Sequence, residues 1–342
     1  MNTISVHFNS QNNINRTLFL RGTGGIGKTQ LSLEYAYQYS EDYDWIWWVS
    51  AETESAIVDS YKEFAIAVDL LDKKDIDLTE QFIIETVTNW MDTHSKWLFI
   101  YDNVMELDAE SSWFPKDHRA NILITTRNHN NHLGISIDVT TLTPEESCLF
   151  LKKRTQIEKD STTVIEHLAE RLGFLPLALE QAAAYIKSNE CSFEDYVNLL
   201  TRYGLDILEE IDGIINYNEP VTATWKISID KISNLAAKQL LTFSAYLASE
   251  TIYQELFTEN NTLFPAPLKK ELSDALRNNK LWKELLKYSL LSKYNGKYKM
   301  HRLLQEVIRT ENKEDKWLIS LLEVYCECYK FDYNNQKKFF FK

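Results

Sequence analysis

Eight residues, Gly22-Thr23-Gly24-Gly25-Ile26-Gly27-Lys28-Thr29, constrain this chain more than any other segment. They follow a short apolar run, TLFLR at 17–21, and precede a stretch from 28 to 39 with helix-forming spacing through Leu31, Ala36 and Tyr39. Strand, glycine-rich loop and helix in that order match the pattern GxxxxGK[ST]. The glycines let backbone N–H groups curl around a phosphate, and the helix N-terminus adds positive potential. Lys28 would reach the β and γ phosphates and Thr29 would offer its hydroxyl to Mg²⁺. The stretch from Gly22 through Gln30 is the expected phosphate contact.

Three more apolar runs follow, WIWWVS at 45–50, WLFIYD at 97–102 and NILITT at 121–126, with a shorter one, ISIDV, at 135–139. Helical stretches near 54–69 and 79–92 separate them. Strands apolar on both faces and alternating with helices predict a doubly wound parallel sheet, an α/β domain over 17–142 after a polar segment at 1–16. Pro144 in LTPEES stands where a helix can begin, and helical patterns at 162–172, 176–187 and 192–203 predict an all-helical unit over 143–215. From 216 to 311 helices lead into a hairpin signal at Asn295-Gly296 and then MHRLLQEVIR, the order helix, helix, hairpin, helix of a winged-helix unit. Residues 312–342 are a tail in which a helical sensor region would begin.

A phosphate loop needs a magnesium-shell carboxylate at the end of a neighbouring strand, and Asp102 closes WLFIYD in that position. Asn103 follows where many ATPases carry a second carboxylate as base. Asparagine cannot accept a proton that way, so either Glu106 or Asp108 serves or hydrolysis is slow, and slow hydrolysis is the expectation. Arg127, after Thr125 and Thr126, ends its strand where a γ-phosphate would lie, although taken alone it reads as a surface ion-pair residue.

The remaining composition narrows the class. A length of 342 residues requires several subdomains, and 44% apolar with 25% charged residues is ordinary globular composition. A formal charge of −13 gives no global field for nucleic acid, which is not an expected partner. Cys148, Cys191, Cys326 and Cys328 form no disulfide or zinc pattern, and no segment approaches the ~20 apolar residues of a membrane span. The reading is a soluble, cytoplasmic protein without a membrane partner.

Taken together, GTGGIGKTQLSLEYA, WIWWVSAET, WLFIYDN, NILITTRN, GFLPLALEQAAAYI and YKMHRLLQEVIR resemble, in order and spacing, the NB-ARC family of STAND P-loop ATPases, which includes apoptotic and plant immune switches and many bacterial and fungal proteins. The likeness covers about residues 16–311. It implies Lys28 and Thr29 on phosphate and Mg²⁺, Asp102 in the Walker B role and Arg127 sensing the γ-phosphate. It further implies Pro176 of GFLPLAL beside the nucleotide and His301 of Met300-His301-Arg302 on the β-phosphate of ADP. Without the family pattern, Pro176 is accounted for as a first-turn proline and His301 as structural. Arg302 stands where the plant-type triplet has Asp. The linker that encloses adenine in relatives is not recognisable, which leaves the base contacts unassigned.

The resemblance implies an ADP/ATP-binding signalling switch, with self-association in the ATP state and a protein trigger or effector. Two other readings stay open, a cycling AAA+-like ATPase with a DNA-contacting winged helix and a nucleotide-binding remnant. Relatives usually carry an effector domain before the ATPase and tetratricopeptide repeats after it, so the chain is expected to be a minimal member, a fragment or a degraded gene. Asn312-Lys313-Glu314-Asp315 matches the NKxD guanine motif, but it follows a helix rather than a sheet strand and is set aside. His129 and His132 lack partner ligands for a metal site. The Trp45, Trp47 and Trp48 cluster is expected to be a buried strand.

Overall fold

The computed structural model describes residues 2–9, 16–73, 78–105, 113–114, 121–128, 134–158, 161–210, 219–249, 251–312 and 316–328. Glu106, Asp108, His129, His132 and Lys313 to Asp315 lie outside the described residues. The chain divides into two compact units, Met1–Thr141 and Leu142–Lys342.

In the first unit the order is α1 (Asn2–Asn9), β1 (Thr17–Arg21), α2 (Lys28–Gln38), β2 (Trp45–Ser50), α3 (Glu54–Ala67), α4 (Glu80–Thr93), β3 (Trp97–Val104), β4 (Asn121–Thr126) and β5 (Ile135–Asp138). Side chains start the helices: the Thr53 hydroxyl accepts from the Ala56 N–H and the Thr79 hydroxyl from the Phe82 N–H. Among the described residues the strands form one parallel sheet in the order β2-β3-β4-β1-β5. Alternate strand residues point to opposite faces. Phe19, Phe99, Tyr101, Ile122 and Ile124 pack with Val58, Tyr61 and Phe64 of α3 and Val87 and Trp90 of α4. Leu18, Leu20, Leu98, Ile100 and Leu123 pack on the other face with Tyr35 of α2 and with Ile4 and Phe8 of α1.

Two expectations need correction. Residues 2–9 are a helix rather than part of a polar segment, and their Ile4 and Phe8 are buried, one helical turn apart. The tryptophan-rich strand is β2, which forms an edge of the sheet, and Trp45 is 39% exposed with Trp47 and Trp48 partly so. An edge strand has a neighbour on one side only, so its large side chains stay half covered.

The second unit opens with α5 (Pro144–Thr155), α6 (Thr162–Arg171), α7 (Pro176–Asn189), α8 (Phe193–Glu210) and α9 (Glu219–Lys231). Pro144 at the first turn and the Thr143–Glu146 capping box fix the start of α5. There follow α10 (Leu235–Ser244), α11 (Gln254–Glu259), α12 (Leu268–Leu272), α13 (Ala275–Lys287), β6 (Ser292–Tyr294), β7 (Lys297–Lys299), α14 (Arg302–Glu311) and α15 (Lys316–Cys328). Asn295 (φ 47°) and Gly296 (φ 81°) turn the β6–β7 hairpin, both in the left-handed region that the tight turn requires. Ile252 joins β7 by exchanging backbone hydrogen bonds with Tyr298. Tyr298 packs at a tilt against Trp282 of α13, 4.1 Å between ring centroids, fastening the hairpin to that helix. Among the described residues no helix is long and apolar enough to cross a membrane.

Candidate phosphate-binding site

The loop between β1 and α2 is shaped by glycine. Gly22, Gly25 and Gly27 have φ of 151°, 76° and 100°, conformations that side-chain-bearing residues rarely adopt. At Gly22 the packing forbids a side chain as well, since a Cβ there would lie 2.9 Å from the Val139 carbonyl oxygen. Gly27 is the N-cap of α2 and offers no side-chain acceptor, so the first amides of that helix face the loop.

Lys28, the first residue of α2, is 8% exposed and its Nζ donates to the carbonyl oxygens of Gly22 (2.7 Å) and Thr23 (2.9 Å). Burial, and next the positive charge of Arg127, push its ammonium down to about 8, with the Asp102 carboxylate acting in the opposite sense. Lys28, Arg127 and Asp102 thus share one field. The Arg127 side chain is exposed at the end of β4.

Asp102 is the pivot of the site. Its Oδ1 accepts from Thr29 Oγ1 at 2.9 Å and from Thr125 Oγ1 at 2.6 Å, joining the phosphate loop to β3 and β4. The β3–β4 register slips between Tyr101 and Val104, and Asn103 there has φ of 68°. The Asn103 N–H donates to Thr125 Oγ1 at 2.7 Å, so one buried threonine holds both the carboxylate and the irregular backbone beside it. This part of Thr125 was not visible from spacing alone; the parallel pairing of β3 with β4 is what creates it. A hydroxyl and a carboxylate oxygen 2.9 Å apart are hard donors of the kind Mg²⁺ takes, so the residues present fit that ion.

Within the second unit, Pro176 is the first residue of α7 and follows Gly173 (φ 61°) and Phe174 (φ 53°), consecutive left-handed residues that reverse the chain. His301 is the N-cap of α14: its Nδ1 accepts from the Leu303 N–H at 3.2 Å, which places the proton of the neutral ring on Nε2. The ring lies 6.1 Å from that of Trp225. Arg302 donates from Nε to Ser249 Oγ at 3.3 Å, and burial pushes its guanidinium down to about 10, still protonated at neutral pH.

A parallel sheet with the loop following β1, an adjacent carboxylate at the end of β3 and a basic pair of Lys28 and Arg127 define a P-loop NTPase. Residues 1–161 match the NB-ARC domain, and residues 227–317 match a domain of unknown function, DUF7779. The first half of the chain is thus similar to the NB-ARC family, on the fold of a P-loop NTPase. A nucleotide-binding leucine-rich repeat (NLR)-like protein of Hyaloscypha variabilis is 27% identical over 265 residues, covering 66% of this chain and 26% of that protein. The crystal structure of a STAND protein with a tetratricopeptide repeat sensor from Pyrococcus horikoshii matches with a TM-score of 0.59 at 15% identity, over 97% of this chain and 45% of the other. The chain therefore spans about a quarter of the fungal relative and under half of the archaeal one. Cdc6p from Pyrobaculum aerophilum matches with a TM-score of 0.40 at 12% identity, over 86% of this chain and 88% of that one.

Proposed function

We propose that the chain is a nucleotide-controlled switch that holds ADP in its resting state, exchanges it for ATP, and hydrolyses ATP slowly. The observation that carries this is the Asp102 clamp: a carboxylate fixed by Thr29 and Thr125 with an asparagine, not a second carboxylate, next in the chain. Such a site is built to hold a metal-bound phosphate, and Asn103 offers no base to activate water.

In this reading the loop from Gly22 to Gln30 wraps the phosphates, and Lys28 leaves the Gly22 and Thr23 carbonyls to pair with them. Thr29 and Asp102 would hold Mg²⁺, which would supply positive charge against the phosphates. Arg127 senses the γ-phosphate. From the second unit, read as a helical part (143–215) and a winged helix (216–311), Pro176 contacts the nucleotide and His301 donates from Nε2 to the β-phosphate of ADP. ATP in place of ADP then favours an open form that self-associates, and a protein trigger acts on that balance. Differential binding of this kind is what shifts a conformational equilibrium.

Titration calorimetry of Asp102→Ala tests the reading. Mg²⁺-dependent ATP affinity should fall far more than ADP affinity, because the ion that Thr29 and Asp102 would hold would offset the charge of a γ-phosphate that ADP lacks. Equal losses for the two nucleotides would reduce Asp102 to a structural residue.

A further inference from the structure

The protein as a whole is acidic, at −13, yet residues 268–302 carry ten Lys and Arg against three Asp and Glu, a local excess of seven positive charges. That stretch is α12, α13, the β6–β7 hairpin and Arg302, the first residue of α14. On α13 the exposed residues include Arg277, Lys280, Lys283 and Lys287, spaced so that they share one side of the helix, opposite buried Leu281, Trp282 and Leu285. The N-terminal half of the same helix presents Leu276, 75% exposed, and Asn279. The hairpin, fastened to α13 through the Trp282–Tyr298 contact, adds Lys293, Lys297 and Lys299, whose ammoniums sit over the rings of Tyr298, Tyr253 and Tyr294.

We infer that α13 and the hairpin form a docking face for duplex DNA. The chemistry of the face selects this partner. A helix of 13 residues, about 20 Å long, fits the major groove, and its exposed N-terminal half carries Arg277, Asn279 and Leu276. Those are residue types that meet guanine, adenine and the thymine methyl at base edges. The lysines further along α13 and on the hairpin flank that half with phosphate contacts that position but do not specify. A lipid surface would call for bulky apolar residues at the hairpin tip, and the tip is Asn295-Gly296. Segregating the positive charge in one face solves what the global charge opposes, because screening confines the interaction to within about 10 Å. The inference stands apart from the nucleotide switch and needs no bound nucleotide.

The test is fluorescence anisotropy of a labelled mixed-sequence duplex of roughly 20 base pairs with the full chain, spanning two turns of the groove. Binding at micromolar concentration is expected, with affinity falling on a log–log salt plot with a slope of about −4 to −5, as four to six phosphate contacts give. The triple variant Arg277→Glu, Lys280→Glu, Lys283→Glu should weaken binding at least about tenfold with its melting temperature retained, since all three side chains are exposed. A control triple with the same change of charge at exposed sites elsewhere, Lys73→Glu, Lys153→Glu, Lys231→Glu, should bind as the parent does. No duplex binding by the parent, equal loss in both triples, or binding to anionic phospholipid vesicles without binding to duplex would each overturn the assignment.

Discussion

Lys28 is held by carbonyl oxygens, and burial, with Arg127 nearby outweighing Asp102, pushes its ammonium down to about 8 from the ordinary value near 10.4. A bound phosphate supplies the missing counter-charge and returns the group to its charged form. The sign follows. Free protein begins to lose this proton as pH rises through about 8 while the bound form keeps it, so affinity is full below that pH and falls above it. Calorimetry near pH 8.5 in buffers of different ionisation enthalpy should register proton uptake on nucleotide binding. Lys28→Arg should remove that uptake, and Lys28→Ala should abolish binding with the fold retained. The same depressed group makes the nucleotide-free protein gain stability from this residue across the window from about 8 to 10, because there the unfolded chain binds more protons. Thr125→Val tests the clamp from the side that spacing did not reveal: Asp102 and the Asn103 N–H each lose a partner, at about 1–3 kcal/mol of stability, and Mg²⁺-dependent ATP binding should weaken with them. His301 has two separable parts, capping α14 through Nδ1 and, in the proposed switch, donating from Nε2. His301→Ser keeps a capping oxygen and His301→Ala does not, a difference of about 1 kcal/mol in stability. Both should release ADP more readily than the parent, by roughly ten- to hundredfold for one lost charge-assisted bond. Recovery of ADP retention by the serine would leave His301 a cap and nothing more.

At the level of elements, what local sequence encodes was readable and what pairing decides was not. The β1–loop–α2 unit is specified within about twenty residues by an apolar run, glycines that must take positive φ and a helix starting at Lys28. The start of α5 is written in Thr143, Pro144 and Glu146. Strand order is not local, so WIWWVS has the composition of a central strand and lies at the edge, where β3 is its one strand neighbour among the described residues. The clamp on Asp102 depends on β3 lying beside β4, which no spacing records. Helix α1 is faint in the sequence because its eight residues carry only three large aliphatic or phenyl side chains, although Ile4 and Phe8 at i and i+4 are the mark of a one-sided helix. Phe8 is 3% exposed against Tyr35, at 5.8 Å between ring centroids. Phe8→Ala should lower unfolding stability by about 3–5 kcal/mol in denaturant titration. A loss under about 1 kcal/mol would return residues 2–9 to a dispensable segment.

On the scale of the whole molecule, the sheet, its phosphate loop and α1–α4 occupy one compact unit, and α5–α15 with the β6–β7 hairpin occupy the other. A P-loop alone binds nucleotide; the proposed switch requires that the second unit distinguish ADP from ATP. It is tested most directly by denaturing freshly purified protein, prepared without added nucleotide, and identifying what is released by ion-exchange chromatography. ADP is expected close to one equivalent per chain, retained because a resting form of the proposed kind would bind it tightly and exchange it slowly. Recovery of no nucleotide from protein that binds ADP and ATP with equal, weak affinity would contradict it.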